Sequence, residues 1–292
     1  MQALVFEKEN IMLTAHKIYN IGTPAHFEPN KIFNCGQCFR FEPAGENTYE
    51  GVAYGKYVRV EKDAQGRVLL YGADKEDYES VWRDFLDSDT DYEAISRSFA
   101  QGYDIMKSAT ETGRGIRILR QQPWEALCSF IISQNNNIPR IKKIIEALSR
   151  AYGDRILSPD GREFFTFPTA KRLFEAGEEE IFSFKTGFRA KYIYDAAKKV
   201  TLGDIDLNAV YDMDTQSAAQ YLKSIKGVGD KVAACVLLFA YHKTDSFPID
   251  VWVKKILEKY FDGNVPQFGQ YAGIAQQYLF YYERYIINEI KV

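Results

Sequence analysis

Between residues 27 and 71, hydrophobic and polar residues alternate in short runs that are interrupted by glycine-containing turns. Alternation with a period of two residues is typical of strands that bury one face. The predicted strands are 49–54, 57–61 and 67–71. Because the connections between them are only a few residues long, the strands are expected to form antiparallel hairpins.

After residue 74 the hydrophobic positions recur every three to four residues, which is the spacing of amphipathic helices. The predicted helices are 77–86, 92–99, 124–134, 138–152, 169–177, 190–200, 214–225, about 230–241, and 251–260. The predicted fold class is therefore α+β. We expect an N-terminal antiparallel sheet domain with flanking helices at 1–110, and a mainly helical region of two lobes at 111–292 with a cleft between the lobes.

The predicted helices 214–225 and 230–241 are separated by a glycine turn, Gly227-Val228-Gly229. Glycines supply the positive φ values that a sharp chain reversal requires. The turn would also leave unpaired backbone N–H groups at the start of the second helix, where the helix dipole favours an anion such as phosphate. An ordinary helix pair with a glycine cap is the alternative.

Lys231 and Asp250 each stand at the start of a predicted helix. Lys231 lies in the first turn of the second hairpin helix, where burial and the helix dipole would favour a neutral, nucleophilic amine. Asp250 precedes the helix at 251–260 and takes its N-cap position. For each residue taken singly, the alternative is structural: a solvated surface lysine and a simple capping aspartate.

The composition allows packed cores but gives the chain a small negative charge. Of the 292 residues, 46% are hydrophobic and 15% aromatic, and the formal net charge is −3. A chain of this length is expected to form about two domains. The negative charge disfavours binding of nucleic acid through nonspecific phosphate contacts alone, although the segments 140–150 and 185–199 are locally basic.

The four cysteines limit the metal chemistry that the sequence supports. Cys35 and Cys38 form a single C-x-x-C pair, which is weak evidence for zinc, and no cysteine follows Cys235. Cysteine usage fits a reducing compartment, and the longest hydrophobic run, 232–241, is too short to span a bilayer. We therefore expect an intracellular protein without membrane association.

Five segments, in order along the chain, resemble the motifs of one enzyme family. The segments are 33–40 (FNCGQCFR), 129–140 (SFIISQNNNIPR), 187–192 (GFRAKY), the hairpin at about 214–241, and 271–280 (YAGIAQQYLF). Together they resemble the helix-hairpin-helix DNA glycosylases of the HhH-GPD superfamily, and in particular the 8-oxoguanine DNA glycosylases. The resemblance extends over most of the chain and implies an enzyme of DNA base excision repair.

The resemblance implies that Lys231 and Asp250 carry the catalysis. Lys231 would attack the deoxyribose anomeric carbon, displace 8-oxoguanine paired with cytosine and form a Schiff base. Cleavage of the strand by β-elimination, the AP lyase step, would follow. Asp250 would stabilise the positive charge that develops on the sugar. The enzyme would be bifunctional, acting as a glycosylase and a lyase.

The resemblance also implies a pocket for the base after it leaves the duplex. The Gly36 backbone carbonyl would accept the N7 proton that distinguishes 8-oxoguanine from guanine. Gln276 would read the Watson–Crick edge, while Phe280 and Cys235 would lie against the base. On spacing alone, Cys235 shares a helix face with Lys231. A buried core position is the alternative for both Cys235 and Phe280.

The same resemblance assigns four further residues to the DNA. Asn135 would fill the gap left by the extruded base, and Arg140 and Arg189 would hydrogen-bond the orphaned cytosine. Phe188 would wedge into the base stack. One asparagine of the run 135–137 is also expected to cap the following helix.

The resemblance implies no required cofactor and no metal, but leaves room for a structural cation at the hairpin turn. The positions of the four cysteines predict that there is no iron–sulfur cluster, since a four-cysteine site after Cys235 cannot form. The partner would be double-stranded DNA containing oxidised guanine, bound by a monomer in the cytoplasm and nucleoid, or in the nucleus of a eukaryote. Trp252 departs from the family, which commonly has a phosphate-contacting histidine there. Two alternatives are a glycosylase of this superfamily for another damaged base and a non-catalytic DNA-binding protein.

Overall fold

The computed structural model describes residues 17–99 and 102–287. Its N-terminal part contains a five-stranded antiparallel sheet with the strand order β1-β5-β4-β3-β2. The strands are β1 (Ile18–Asn20), β2 (Phe41–Gly45), β3 (Thr48–Ala53), β4 (Lys56–Lys62) and β5 (Val68–Tyr71). The three predicted strands correspond to β3, β4 and β5, so the predicted antiparallel hairpins are confirmed.

The two strands of this sheet that the hydrophobic pattern did not predict lie at its edges. β1 has three residues, and Phe41 is the buried residue of the five in β2. An edge strand pairs on one side and can leave most of its side chains in solvent, so it does not need a regular alternation. The sheet is therefore wider than the pattern of the chain indicated.

The rest of the described chain is mainly helical, as predicted. α1 (Pro29–Asn34) lies between β1 and β2, and α2 is a continuous run of Lys75–Asp77, a π-helical turn at Tyr78–Trp82, and Arg83–Phe85. The other helices are α3 (Tyr92–Phe99), α4 (Asp104–Gly113), α5 (Pro123–Ser133), α6 (Ile138–Tyr152), α7 (Ala170–Ala176), α8 (Glu178–Ile181), α9 (Ala190–Leu202), α10 (Thr215–Lys223), α11 (Asp230–Phe239), α12 (Val251–Tyr260) and α13 (Ala272–Tyr281). Short helical turns lie at Phe182–Thr186, Gly187–Arg189, Ala209–Asp212, Gly269–Tyr271 and Tyr282–Ile287, and β6 (Arg155–Leu157) pairs with β7 (Glu163–Phe165).

Every predicted helix forms, with ends within about two residues of the predicted ones. Among the helices that were not predicted, α4 buries Met106, Ala109, Thr110 and Gly113, a face made mostly of small or polar residues. Small residues are needed there because a Cβ at Gly113 would lie 2.8 Å from the Tyr278 ring of α13. No helix in the described ranges combines the length and the hydrophobicity needed to cross a bilayer.

The buried hydrophobic side chains form two clusters. The smaller cluster lies between the sheet, α1 and α2, and includes the buried Trp82 and Phe41. The larger cluster includes residues of every helix from α3 to α13, and Cys35 and Phe39 of the chain after α1 belong to it. The segment after α1 therefore contributes to both cores. The domain boundary at residue 110 stays a prediction.

A buried carboxylate, Asp87, ties distant segments of the chain together. Its Oδ1 accepts hydrogen bonds from the Arg120 guanidinium at 2.7 and 3.1 Å, and its Oδ2 accepts one from the Tyr92 hydroxyl at 2.6 Å. His242 Nε2, which follows α11, lies 3.0 Å from Oδ2. Burial by itself would raise the pKa of Asp87, but these partners, His242 foremost, outweigh burial and lower it to about 2. The ionised carboxylate thus fastens the end of α11 to the N-terminal part of the chain.

Because the pKa of Asp87 is lower in the folded chain than in the unfolded one, its stabilisation is present above about pH 4 and is lost as the pH falls towards about 2. We expect Asp87→Asn to lower the free energy of unfolding by about 2–4 kcal/mol at pH 7, and by less at about pH 3, in urea unfolding. As a control, Asp89→Asn removes an exposed ion pair with Arg83 and should cost less than about 1 kcal/mol. Equal losses at both pH values would contradict the assigned role.

Candidate active site

Helices α10 and α11 form the predicted hairpin, and its turn depends on Gly227. Gly227 has a φ of +82°, and a Cβ at this position would lie 2.2 Å from Cγ of the Tyr192 ring in α9. Both conformation and space therefore require glycine. Val228 is buried beneath the turn, and the Asp195 carboxylate accepts a hydrogen bond from Lys226 N at 2.8 Å. These contacts hold the turn against α9.

Gly229 differs from Gly227 both in its backbone conformation and in the space around it. Its φ is −98°, so the expectation that both glycines supply positive φ values is wrong for Gly229. No atom lies within 4 Å of the place that a Cβ would take, and no side chain caps the first turn of α11. The N–H groups that begin α11 thus lack a side-chain partner beside an open space. This arrangement suits an oxyanion such as phosphate.

A pocket lies at the first turns of α11. Its wall comes from the loop after α1, from α5, α11 and α13, and from the extended segment before α12. The lining residues are Cys35, Gly36, Phe130, Lys231, Cys235, Phe239, Pro248, Asp250, Gln276, Gln277 and Phe280. The fold therefore brings together every residue that the sequence assigned to catalysis and to the base pocket.

Lys231 is half-buried, and its ammonium group faces α5. Nζ lies 3.3 Å from Ser133 Oγ and 5.4 Å from the centroid of the Phe130 ring. Ser133 Oγ donates its own proton to the Phe130 carbonyl at 2.8 Å, so its lone pairs are free to accept from Lys231. Lys231 forms no ion pair with a carboxylate in the described part of the chain. The amine is held in the pocket by a hydroxyl and an aromatic face.

Asp250 is the N-cap of α12, as predicted. Its Oδ1 accepts hydrogen bonds from Trp252 N at 2.9 Å and from Val253 N at 2.8 Å. Because both bonds use Oδ1, the second oxygen is left for the pocket. Ser246 Oγ donates to the Ala234 carbonyl at 3.0 Å and so fastens the segment before Asp250 to α11. The carboxylate is thus fixed beside the helix that carries Lys231.

Cys235 lies one turn after Lys231 and is buried in the pocket wall. Burial raises the pKa of its thiol, and the Asp250 charge adds to this, while the Lys231 charge opposes it. The thiol is therefore protonated at neutral pH. It presents a neutral, polarisable surface to any ligand in the pocket rather than a second nucleophile.

Gln276 contributes an unpaired acceptor to the pocket. The residue is 5% exposed, and its Oε1 is buried without a hydrogen-bond partner among the described residues. A buried acceptor left unpaired is costly, so it indicates a ligand that supplies a donor. Phe280 lies one turn further along α13, and its ring is within 4 Å of the position that a Cβ of Gly36 would take. A larger residue at Gly36 would occupy the space beside this ring.

The residues assigned to the opposite DNA strand lie outside this pocket, in two segments that Arg189 links by hydrogen bonds: the α5–α6 connection with the start of α6, and the helical turn Gly187–Arg189. Asn135 is exposed with a φ of +45°, and Asn137 caps α6 by accepting a hydrogen bond from Arg140 N at 3.0 Å. This confirms that one asparagine of the run is a cap. Phe188 is 46% exposed, and the Arg189 guanidinium lies 4.4 Å from the centroid of its ring. An exposed aromatic ring beside an exposed asparagine is suited to contacts with a large partner.

Arg140 and Arg189 differ in their freedom to bind DNA. Arg140 is exposed and donates one hydrogen bond to the Lys185 carbonyl at 3.2 Å. Arg189 is 2% exposed and donates to the carbonyls of Gln134, Asn135 and Thr186. Burial lowers the pKa of Arg189 from its usual value, and the nearby Arg140 charge lowers it further. In the structure described, the hydrogen bonds of Arg189 hold the turn on which Asn135 lies.

Several pocket residues were not singled out from the sequence. They are Phe130, Phe239, Pro248 and Gln277. Ser133, which contacts Lys231, was not singled out either. Phe130 and Ser133 lie within the motif at 129–140, but nothing in that motif distinguished them from their neighbours. Their spacing of three residues on α5 could have indicated that they share a helix face.

Cys35 and Cys38 do not form a reactive pair. Both thiols are free and buried, and burial raises their pKa values to about 12 and about 11, respectively. Within the described ranges, no cluster of three or more histidine, cysteine, aspartate or glutamate side chains is arranged to hold a metal ion. Trp252 lies in the first turn of α12 with Lys255 Nζ 4.9 Å from its ring centroid.

Comparisons with known proteins agree with this arrangement. Residues 20–127 match the N-terminal domain of 8-oxoguanine DNA glycosylases, and residues 128–265 match the HhH-GPD superfamily of base excision DNA repair proteins. An N-glycosylase/DNA lyase of Arabidopsis thaliana is 30% identical over 300 residues, an alignment that covers 90% of this chain and 82% of the plant protein. The chain belongs to the 8-oxoguanine DNA glycosylase family.

Solved structures of 8-oxoguanine glycosylases have the same fold. The apo form of the 8-oxoguanine glycosylase/lyase from Clostridium acetobutylicum is 35% identical with a TM-score of 0.87, and the match covers 91% of this chain and 96% of that one. The same bacterial enzyme bound to double-stranded DNA with cytosine opposite 8-oxoguanine gives 36% identity and a TM-score of 0.85, with 92% and 94% covered. The family thus extends over both the sheet and the helical part.

Proposed function

We propose that this protein is a bifunctional DNA glycosylase and AP lyase that excises 8-oxoguanine paired with cytosine. The observation that carries the proposal is the convergence of Lys231, Asp250 and the unpaired amide oxygen of Gln276 on one pocket. An amine with a nearby carboxylate supplies covalent chemistry, and an unpaired buried acceptor supplies recognition. The glycosylase/lyase description of the Arabidopsis and Clostridium relatives supports the same reaction.

In the proposed reaction, the neutral amine of Lys231 attacks C1′ of the extruded nucleotide while the N-glycosidic bond breaks. The electron pair of that bond leaves with the base, which takes up a proton. Positive charge develops on the sugar, and the Asp250 carboxylate stabilises it from a position fixed by two N–H groups of α12. Cleavage of the C1′–O4′ bond gives the Schiff base. Loss of a C2′ proton then expels the 3′-phosphate, and hydrolysis frees the lysine.

The pocket is proposed to distinguish 8-oxoguanine by its hydrogen-bond donors. The N1 and N2 donors of the base match the unpaired Oε1 of Gln276, and the N7 proton, which guanine lacks, matches the Gly36 carbonyl. The Phe280 ring and the neutral Cys235 thiol offer apolar and polarisable surfaces for the faces of the base. Recognition then combines two hydrogen-bonded edges with packing against the ring system.

The two segments that carry Asn135 and Phe188 are proposed to hold the opposite strand. Asn135 and Phe188 would fill the space that the extruded base leaves, with the Phe188 ring wedged into the stack. Arg140 is free to hydrogen-bond the orphaned cytosine. To contact the cytosine, Arg189 would have to give up its hydrogen bonds to the Gln134 and Asn135 carbonyls and form new ones to the base.

The start of α11 is proposed to bind a DNA phosphate through Gly229 and the N–H groups that follow it. Gly229→Ser should keep the fold, because serine is a favoured N-cap and the site is open, but should weaken DNA binding about 10-fold by occupying those N–H groups. Gly227→Ala should lower the free energy of unfolding by about 3 kcal/mol, because of its positive φ and the Tyr192 ring. Anisotropy titrations and urea unfolding measure the two effects. Wild-type DNA binding by Gly229→Ser would argue against the phosphate site.

Incubation with a panel of duplexes that each carry one lesion tests the proposed function. Base release and direct strand nicking are measured separately, with borohydride added to a parallel reaction. We expect release and nicking on 8-oxoguanine opposite cytosine, and a protein–DNA adduct after reduction. Preferred release of an alkylated purine or an oxidised pyrimidine would change the assigned substrate. Binding without release of any base would favour the non-catalytic alternative.

The proposed reaction needs no cofactor, since Lys231 and Asp250 supply the nucleophile and the countercharge. A structural cation at the hairpin turn stays a prediction; Lys199 Nζ already places an ammonium 2.6 Å from the Ser224 carbonyl there. The substrate would place the protein with the genome, in the cytoplasm and nucleoid or in a eukaryotic nucleus. A monomer stays the expected state.

A further inference from the structure

The Gly36 carbonyl stands out in the pocket wall because nothing in the described chain pairs with it. Gly36 has a φ of +81°, and its oxygen accepts no hydrogen bond from the described residues. A glycine in a loop can rotate its carbonyl at little cost. A carbonyl that selects a ligand must instead point in one direction. Its orientation therefore has to come from neighbouring groups.

The Gly36 carbonyl belongs to the Gly36–Gln37 peptide, and the peptide groups before and after this one are each held by a buried side-chain amide. Gln277 Nε2 donates to the Cys35 carbonyl at 2.8 Å, and Gln121 Nε2 donates to the Gln37 carbonyl at 2.7 Å. Gln277 is 3% exposed and Gln121 is 8% exposed. In an environment that excludes water, such bonds are expensive to break. The two amides fix the planes between which the Gly36 carbonyl lies.

The side chain of Gln37 anchors the same loop to the body of the protein. Its Nε2 donates to the carbonyls of Ile32 at 2.9 Å and Arg117 at 2.8 Å, and its Oε1 accepts from Leu119 N at 3.0 Å. Gln37 is fully buried, and three of its hydrogen-bonding positions are used. Hydrogen bonds from Gln37, Gln121 and Gln277 thus hold the loop, while the Gly36 oxygen has no partner among the described residues.

Gln277 also connects this loop to the other selective group of the pocket. It follows Gln276 directly on α13, and the two amides serve different ends: Gln276 presents an unpaired Oε1, and Gln277 holds the Cys35 carbonyl. The donors of 8-oxoguanine that match the two free acceptors lie on different edges of the base. The base can therefore form both hydrogen bonds only when Gln276 Oε1 and the Gly36 oxygen lie at one particular distance from each other. The hydrogen bond of Gln277 sets that separation by tying the loop to α13.

We infer that Gln277 is a positioning residue for substrate selection, which holds the Gly36 carbonyl at the distance from Gln276 that 8-oxoguanine requires. This inference rests on the proposed function and deepens it. Gln277 acts on the base through the Cys35–Gly36 peptide. Its effect should appear in steps that recognise the base and be absent from a step in which no base is bound.

Gln277→Met tests the inference, because methionine has a similar volume but no donor. Single-turnover rates are measured on two duplexes, one with 8-oxoguanine and one with a preformed abasic site, both opposite cytosine. We expect excision of 8-oxoguanine to fall about 10- to 100-fold, as for the loss of a buried hydrogen bond. Nicking at the abasic site, which needs Lys231 but no base contact, should change less than about twofold.

Thr110→Val is the matched control for lost packing and stability. Thr110 Oγ1 donates a buried hydrogen bond to the Met106 carbonyl within α4, which packs against α13. The substitution removes a buried hydrogen bond on a neighbouring helix without touching the pocket. Both rates should stay within about twofold of wild type. A selective loss of 8-oxoguanine excision in this variant would overturn the inference, since disturbance of α13 would then explain the result.

Gln277→Glu provides a second test that does not depend on the methionine variant folding. A carboxylate facing the Cys35 carbonyl cannot donate, whereas a protonated carboxyl group can, and burial raises the pKa of a carboxyl group. The ratio of excision to abasic nicking, relative to wild type at the same pH, should be low at about pH 8 and should recover at about pH 5.5. A ratio that does not depend on pH would overturn the inference.

The outcomes separate this inference from the proposed function. Wild-type protein that neither releases 8-oxoguanine nor nicks the abasic site contradicts the proposed function itself. Active wild-type protein, together with Gln277 variants that lose both activities equally or neither, overturns the positioning role alone. Selective loss of excision, restored at low pH in Gln277→Glu, supports it.

Discussion

Replacement of Lys231 by glutamine is expected to lower excision of 8-oxoguanine by at least about 10³-fold and to abolish trapping by borohydride. Glutamine can still approach Ser133 Oγ, which lies 3.3 Å from Nζ, so the pocket should keep its shape. Its amide nitrogen is not a nucleophile and cannot form a Schiff base. Single-turnover kinetics and denaturing gels of the reduced reaction measure the two losses, while anisotropy should show DNA binding close to wild type.

Lys171→Gln is the matched control for this substitution. Lys171 lies on α7 with 72% of its side chain exposed and pairs with Glu175 one turn away. Its removal changes the net charge equally but leaves the pocket intact, so excision and trapping should be unaffected. Trapping that survives Lys231→Gln would mean that another amine forms the adduct, and the assigned nucleophile would be refuted.

Asp250→Asn is expected to slow excision by roughly 10²- to 10³-fold with little change in stability. Asparagine is as good an N-cap as aspartate, so the bonds to Trp252 N and Val253 N should persist. The loss arises because a neutral amide cannot stabilise the positive charge on the sugar. Rapid-quench measurement of base release, with thermal melting alongside, separates the two effects.

Asp214→Asn makes the same chemical change at another helix start. Asp214 caps α10, where its Oδ1 accepts from Ser217 N at 3.0 Å, and it does not line the pocket. Wild-type excision is expected for this variant. Similar losses at both positions would show that Asp250 matters as a cap and not through its charge.

The fold was predictable wherever burial follows a regular period. Strand β5, where buried and half-buried residues alternate, and the amphipathic helix α6 have such a period, and their predicted positions are confirmed. β3 was predicted as well, although all six of its residues are buried. α13 has no such period, because the residues from Ala272 to Phe280 are all buried, including the polar Gln276 and Gln277. The edge strands β1 and β2 were not predicted for the opposite reason, since most of their residues are exposed.

The candidate site was predictable in its parts but not in its assembly. Lys231 and Asp250 stand out because each occupies a helix start where the residue type has a clear consequence. Gln277 does not, because its hydrogen bond reaches the Cys35 carbonyl 242 positions earlier in the chain. A contact between residues so far apart leaves no local pattern. It appears only when the loop after α1 packs on α13.

The carboxylate of Asp87 has a consequence for any attempt to divide the enzyme into fragments. The two family matches meet between residues 127 and 128; Asp87 and Arg120 lie before that point, and His242 lies after it. A fragment that begins at residue 128 would lack the Asp87 carboxylate that contacts His242, and it would lack the part of the pocket wall that contains Gly36. We therefore expect each half to need the other to fold and to complete the pocket. Neither should fold and act when expressed without the other.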